Sequence, residues 1–225
     1  MLKIGHLVPA TVIKALPGHD AYLMAIAETG YLALLPRANA GSHLRVGDNT
    51  VACVHSCDKA THGWERKVPF ENNVYKLSQS SSIFYRRLTE MFISPLLMEG
   101  KVEVIAAASV PGSGFAKVAV VSMDGSDPVA ACLPYIEKKA VNAYTESTIT
   151  LIRYSHNKEK YIVDSFSPAP KEGILEVIPY QDLNEADVFV RPDKVGLYVG
   201  KRGANVATVS KLTGVHVRVH PAKHF

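Results

Sequence analysis

Gly200-Lys201-Arg202-Gly203 is the stretch of this chain whose residue types and spacing best suit contact with a polyanion. Glycine turns with positive φ and, lacking a Cβ, lets a second backbone come close. Lys201 and Arg202 then place two positive charges where that second backbone, a sugar-phosphate chain, would lie. The residues that follow, Ala204 to Thr213, read as a short helix with Val206, Val209 and Leu212 on one face and Gly214 as its stop. A phosphate in front of the loop would also meet the free N–H groups and positive end of that helix. The same four residues also describe a surface turn between two helical pieces, and the local pattern alone leaves that reading open.

Charge distribution favours the first reading. The chain carries 25 Lys and Arg against 21 Asp and Glu, a net of +4. Arg191 to Phe225 holds seven cations (Arg191, Lys194, Lys201, Arg202, Lys211, Arg218, Lys223) and one anion, Asp193. The last 35 residues therefore carry +6 and the preceding 190 carry −2. A basic module on a near-neutral chain is the footprint of a polyanionic partner, either nucleic acid or an acidic membrane surface. The apolar face of the 204–213 helix is narrow and fits a protein core better than a bilayer, so nucleic acid is expected and a membrane is not.

At 225 residues the chain has room for one large domain or two to three small ones. An apolar fraction of 47% and a charged fraction of 20% describe a folded soluble protein. No uninterrupted apolar run reaches membrane-spanning length. Met1-Leu2-Lys3-Ile4-Gly5-His6 has neither the apolar core of a signal peptide nor the Arg/Ser bias of a transit peptide, so a cytoplasmic location is expected. Cys53, Cys57 and Cys132 are odd in number, and Cys53-x3-Cys57 has no second ligand pair at metal spacing. They read as free thiols in a reducing compartment, with no metal. No Ser/His/Asp set or carboxylate pair stands out. Pro111-Gly112-Ser113-Gly114 links two strands, and the 200–203 loop lacks both a Ser/Thr after its Lys and a G-x4-G frame. Neither catalysis nor a cofactor is expected.

Three segments position these residues. Residues 1 to about 70 read as all-β, with strands at His6–Ala15, Ala21–Ala27, Tyr31–Leu35 and Thr50–Ser56 between Gly, Pro and Asn turns. Short strands at this spacing in so small a unit point to a closed barrel of the OB type. Residues 61–82, which include His62-Gly63-Trp64 and the polar run Ser78-Gln79-Ser80-Ser81-Ser82, read as a last strand entering a linker. The second segment has a helix from Ile83 to about Phe92 with Ile83, Phe84, Leu88, Met91 and Phe92 on its apolar face. Strands Val102–Val110 and Phe115–Ser122 follow, then a helical stretch opened by Asp127-Pro128 and running to about Ser147. Strand Thr148–Tyr154 and a helix at Lys158–Phe166 complete it. The third segment repeats that order: strands Ile174–Pro179 and Ala186–Arg191, a helix-loop-helix over Val195–Thr213, and strand Val215–Val219. Two consecutive β-β-helix-helix-β units form a coarse internal repeat.

A β-β-helix-GxxG-helix-β unit is the arrangement of a KH RNA-binding domain, whose GxxG loop clamps about four nucleotides of single strand. The whole chain resembles the S1–KH–KH core of the NusA family of bacterial transcription termination and antitermination factors. Val195-Gly196-Leu197-Tyr198-Val199-Gly200-Lys201-Arg202-Gly203-Ala204-Asn205-Val206 looks like that family's second KH signature, with Leu212-Thr213-Gly214 at the end of its helix. Ser94-Pro95, Gly100-Lys101-Val102-Glu103-Val104 and Lys117-Val118-Ala119-Val120 resemble the opening of the first KH domain. Asp127-Pro128-Val129-Ala130-Ala131-Cys132 resembles its DPVGAC box, and Leu77-Ser78 with Tyr85-Arg86-Arg87-Leu88 resembles the junction from S1 into KH.

The resemblance implies a multi-domain chain: an all-β OB-fold S1 barrel over residues 1–75, a first α+β KH domain of type II over 83–168, and a second over 169–225. It implies single-stranded RNA as partner, with RNA polymerase or other transcription factors beside it. Val199, Gly200, Lys201, Arg202, Gly203 and Asn205 are its RNA-binding residues, with Arg191, Lys194 and Arg218 adding charge. In the S1 unit Tyr22 and Tyr31 are the candidates for base stacking, near Arg37 and His43; as core or rim residues they would do nothing of the kind.

Two departures matter. Where the family has GPKG in its first KH domain, this chain has Pro134-Tyr135-Ile136-Glu137, followed by Lys138 and Lys139. Both glycines are gone and Glu137 would repel phosphate, so the first KH unit is expected to be a spacer. The chain also begins at the S1 unit and ends just after the second KH, so no counterpart of the family's N-terminal polymerase-contacting region or acidic C-terminal repeats is expected. The function expected is non-enzymatic RNA binding in transcription elongation, termination or antitermination. The alternative is an RNA-processing subunit like the S1–KH cap proteins of the exosome, which would carry one KH unit, not two.

Overall fold

The computed structural model describes residues 2–41, 44–59, 73–136 and 141–222. They form two compact units. One holds the chain up to Met91 with a short stretch ending at Glu146; the other holds Phe92–Ile136 and the chain from Ser147 onward.

In the first unit β1 (Leu7–Leu16), β2 (Ala21–Ile26), β3 (Leu32–Pro36), β4 (Asn49–Lys59) and β5 (Asn73–Ser78) close into a barrel in the order β1-β2-β3-β5-β4. The closing seam is the parallel β3–β5 pair, where Ala33 lies opposite Tyr75. Register shifts at Val12/Lys14 and Val54/Ser56 let the two long strands bend around the barrel. Alternate residues of each strand build its core, among them Val8, Ala10 and Val12 with Met24, Leu35, Ala52 and Leu77. The expected strands are present to within a few residues, and their order fits an OB barrel.

The polar run at Ser78–Ser82 is more than a linker. Gln79 is buried: its Nε2 donates to Thr50 Oγ1 at 2.7 Å and to the Val51 carbonyl at 2.8 Å, and its Oε1 accepts from Gly41 N–H at 3.1 Å. An amide with its donors and acceptor met is tolerated inside. Helix α1 (Ser82–Phe92) follows, with Phe84, Tyr85, Leu88 and Thr89 buried. Ile83 and Met91, expected on its apolar face, are exposed; the buried face runs through Phe84, Tyr85, Leu88 and Thr89.

The second unit contains α2 (Ser94–Met98), β6 (Val102–Ser109), β7 (Phe115–Ser122), α3 (Pro128–Cys132), β8 (Thr148–Arg153), α4 (Lys158–Ser165), β9 (Ile174–Tyr180), β10 (Glu185–Val190), α5 (Val195–Val199), α6 (Ala204–Thr213) and β11 (His216–Pro221). Its two three-stranded sheets have one topology. β6 and β9 pair antiparallel with β7 and β10, which pair parallel with β8 and β11. The internal repeat expected from the sequence is thus a repeat of sheet topology.

The helical stretch expected from Asp127 to about residue 147 is interrupted. Asp127 caps α3, its Oδ1 accepting from Val129 N–H at 3.1 Å. Leu133–Tyr135 then forms one tight 3₁₀ turn and Ile136 leaves helical space at φ −103°, ψ 69°. Pro134 within that turn supplies no N–H to continue the helix. Glu137, Lys138 and Lys139 lie outside the described residues, as do His43, His62-Gly63-Trp64 and Lys223.

Helices α4 and α6 form a layer between the two sheets. On one side Tyr161 and Leu212 pack with Ala108, Ala119 and Ile152; on the other Ile162, Phe166 and Val209 pack with Ala186, Val188 and Val217. The Tyr161 hydroxyl donates to the Leu212 carbonyl at 3.2 Å. With helices on both its faces, β7 is buried without a break from Ala116 to Val120, whereas β10, open on one face, alternates.

Lys117 breaks the apolar run of β7. It is 1% exposed, and its ammonium donates to the carbonyls of Ser165, at 2.7 Å, and Ser167, at the negative C-terminal end of α4. Burial pushes its pKa down to about 8 from 10.5. Below pH 8 the lysine is protonated in both folded and unfolded chains. Between about 8 and 10.5 the unfolded chain holds the extra proton, so the Lys117 contribution to stability rises with pH across that window. The folded state should gain up to about 3 kcal/mol over Lys117→Met between those limits, measured by urea unfolding of both proteins at matched pH. A pH-independent difference would show that the ammonium is not perturbed.

Candidate nucleic-acid interface

The Gly200–Gly203 loop is the turn of the crossover between β10 and β11. Helix α5 ends at Val199, and Gly200 takes φ 74°, ψ 171°, its N–H bonding back to the Gly196 carbonyl at 2.9 Å. A Cβ on Gly200 would lie 2.7 Å from Asn205 Cβ and 2.8 Å from Asn205 N. Glycine is required there on both counts: the dihedrals are closed to other residues and the backbones cross without room for a side chain. Arg202 also turns left-handed, at φ 53°, ψ 29°, and so does Gly203, at φ 75°, ψ 9°, which leads into α6 without a side-chain cap. The Asn205 Nδ2 donates to the Leu197 carbonyl at 3.1 Å, tying the first turn of α6 to the last turn of α5.

The motif is anchored from beneath by Tyr198. Its ring is wholly buried, edge-on to Phe166 at 5.5 Å, and its hydroxyl donates to the Pro170 carbonyl. A Cβ on Gly173 would fall 2.1 Å from that hydroxyl. Sequence reasoning reached Tyr198 only as part of a motif and missed Gly173, since nothing local marks a glycine that makes room for a distant ring.

Lys201 and Arg202 are exposed, and neither side chain has a hydrogen-bond or ion-pair partner among the described residues. Half-buried Lys194, at the entrance to α5, is likewise unpaired among them. The other described cations of the basic segment are engaged. Arg191 meets Asp193 at 3.4 Å, and Lys211 donates to the Ser109 carbonyl at 3.3 Å. Arg218 pairs with Asp187 at 2.8 Å and Glu185 at 2.9 Å.

Arg218 does not join the loop. Val217 of β11 packs into the core beneath the helices, so Arg218 stands on the opposite face of the sheet, in line with His216 and His220. There Asp187 also accepts from the Tyr180 hydroxyl at 3.1 Å and meets His220 Nε2 at 3.0 Å. The Arg218 guanidinium, more than these neighbours, holds the Asp187 carboxyl below its usual range. The alternation Val215-His216-Val217-Arg218-Val219 carried this signal, because the valines had to face the core.

The two tyrosines of the barrel take the core and rim positions that the strand pattern left open. Tyr22 is a core residue, 8% exposed, its hydroxyl donating to the Leu44 carbonyl at 3.2 Å and its ring 5.0 Å from the Arg37 guanidinium. Tyr31 is half-buried and stacks on Tyr75 with centroids 6.1 Å apart. Strand position identified both as aromatic sites but could not tell the inner face from the outer.

The loop geometry orders two substitutions. Gly200→Ala meets closed dihedrals and a backbone clash and should cost about 3 kcal/mol, whereas Gly203→Ala, with open space around its Cβ, should cost about 1 kcal/mol. Thermal unfolding should show the larger drop in Tm for Gly200→Ala; equal drops would contradict the close crossing at Asn205.

No family model matches the chain. The transcription termination/antitermination protein NusA of Rickettsia prowazekii is 31% identical over 130 residues, 56% of this chain and 25% of the relative. Its namesake in Thermus thermophilus is 31% identical over 173 residues, 72% of this chain and 44% of the relative. The chain thus spans less than half the length of the curated relatives it matches. Among solved structures, APE1850 aligns with 63% of this chain and 97% of its own at 17% identity and a TM-score of 0.40, too loose to carry an argument. By the aligned residues, the chain belongs to the NusA family.

Proposed function

We propose that this chain is a non-enzymatic single-stranded RNA-binding protein acting in transcription elongation, termination or antitermination, with RNA polymerase or another transcription factor as a further partner. The observation that carries this reading is the loop at Gly200–Gly203, where two cations without a partner among the described residues stand exposed on a left-handed turn at the head of α6. Phosphates would lie against Lys201 and Arg202 and the positive end of α6. Exposed Leu197 and half-buried Val199 offer the adjoining bases an apolar surface, and Lys194 adds charge at the start of α5.

The two sheets of like topology read as two KH domains of type II, the barrel as an S1 domain. Because α4 packs against β9 and shares a core with β10, the second KH domain takes α4 as its first helix. The first KH domain, with Pro134-Tyr135-Ile136-Glu137 in place of a glycine loop, serves as a spacer. The barrel contributes little to RNA affinity, since Tyr22 lies inside it.

Replacing Lys201 and Arg202 together with Asp should abolish retention of single-stranded RNA on a filter while leaving the circular dichroism spectrum intact. Single Lys201→Ala and Arg202→Ala variants should each flatten the slope of log K against log salt by about 0.7, the release expected for one lost contact to a single strand. Undiminished binding by the double Asp variant would overturn the reading.

A further inference from the structure

The structure assigns to Asn205 a positioning role: through its side-chain amide it holds the Gly200–Gly203 loop in the shape that presents Lys201 and Arg202. The inference rests on the RNA-binding reading of that loop and changes the part Asn205 plays in it, from a group that touches RNA to one that acts through its neighbours.

Three observations converge on this residue. The Asn205 Nδ2 is committed to the Leu197 carbonyl at 3.1 Å, one of the last carbonyls of α5 and thus without an intrahelical partner of its own. The bond spans the loop, so it fixes the exit of one helix against the entry of the next. Second, the Asn205 backbone is the surface on which Gly200 rests: N and Cα lie 2.8 and 3.3 Å from where a Gly200 Cβ would stand. Third, the residues held between these two points are strained. Arg202 sits at φ 53° without being glycine, a conformation that persists only where its surroundings impose it. Gly203 N–H closes the turn on the Gly200 carbonyl at 3.1 Å, and among the described residues no side-chain hydrogen bond but that of Asn205 ties the two flanking helices together across it.

The chemistry of the bond narrows the tolerated substitutions. It needs an N–H donor at the reach of an asparagine side chain. Alanine removes it, and aspartate keeps the shape but offers only acceptors to a carbonyl. Both variants should free Arg202 to leave the left-handed region, and the two cations would then sample many directions at an ordering cost repaid on every binding event.

The test combines affinity with loop order in the free protein. Asn205→Ala and Asn205→Asp should weaken binding of a single-stranded RNA about tenfold or more. In the alanine variant the slope of log K against log salt should stay at its wild-type value, because both phosphate contacts remain. In the free variants the ¹⁵N heteronuclear NOE of the Lys201 and Arg202 amides should fall while that of the β10 and β11 amides stays high. A side chain that simply touches RNA would leave those NOE values unchanged while affinity falls, and that result would overturn the proposal. Wild-type affinity in Asn205→Ala would overturn it too. If wild-type protein binds RNA and the double Asp variant at Lys201 and Arg202 binds it equally well, the RNA site itself lies elsewhere, a failure separate from either outcome at Asn205.

Discussion

The parallel pairing of β10 with β11 is the constraint on which the candidate site depends. Two parallel neighbours cannot be joined by a hairpin, so the chain must leave the sheet, cross its face and return. Here α5 and α6 make that crossing, and the chain must reverse between them at Gly200–Gly203. The reversal is tight because both helices pack into one core, α5 through Tyr198 and α6 through Val209. Glycines at the corner and a left-handed Arg202, held by Asn205, close that turn over so short a span, and the two cations stand at its tip.

The β7–β8 crossover joins a sheet of the same topology without that glycine corner: Pro134-Tyr135-Ile136-Glu137 holds no glycine, and Leu133 to Tyr135 form one 3₁₀ turn. The sheet topology thus appears twice, and the β10–β11 crossover is the one that turns through glycines at both ends of its corner.

Most of this was legible in the chain itself. Strand positions followed from alternation and turn residues, the repeat from the order of elements, and the loop from two glycines around two cations. The parts that were not legible have a common cause: they depend on which face or which distant element a residue meets. Tyr22 and Arg218 sat on correctly assigned strands, yet one is packed inside a barrel and the other is tied up by Asp187 and Glu185. Composition counted seven cations in the final segment and could not subtract those already paired. Ile83 and Met91 are exposed on a helix whose buried face is set by packing, and Gly173 matters only because a tyrosine from another element fills the space above it.

Helix α4 lies before the last sheet in sequence but inside its core, with Ile162 and Phe166 against Ala186 and Val188 and Tyr161 against the preceding sheet. The two sheets therefore have one interior between them, and no peptide bond from β6 to β11 divides the unit into halves that each keep their own apolar filling. A break anywhere between the two sheets would bare apolar surface on both sides of it, so the unit opens cooperatively rather than sheet by sheet.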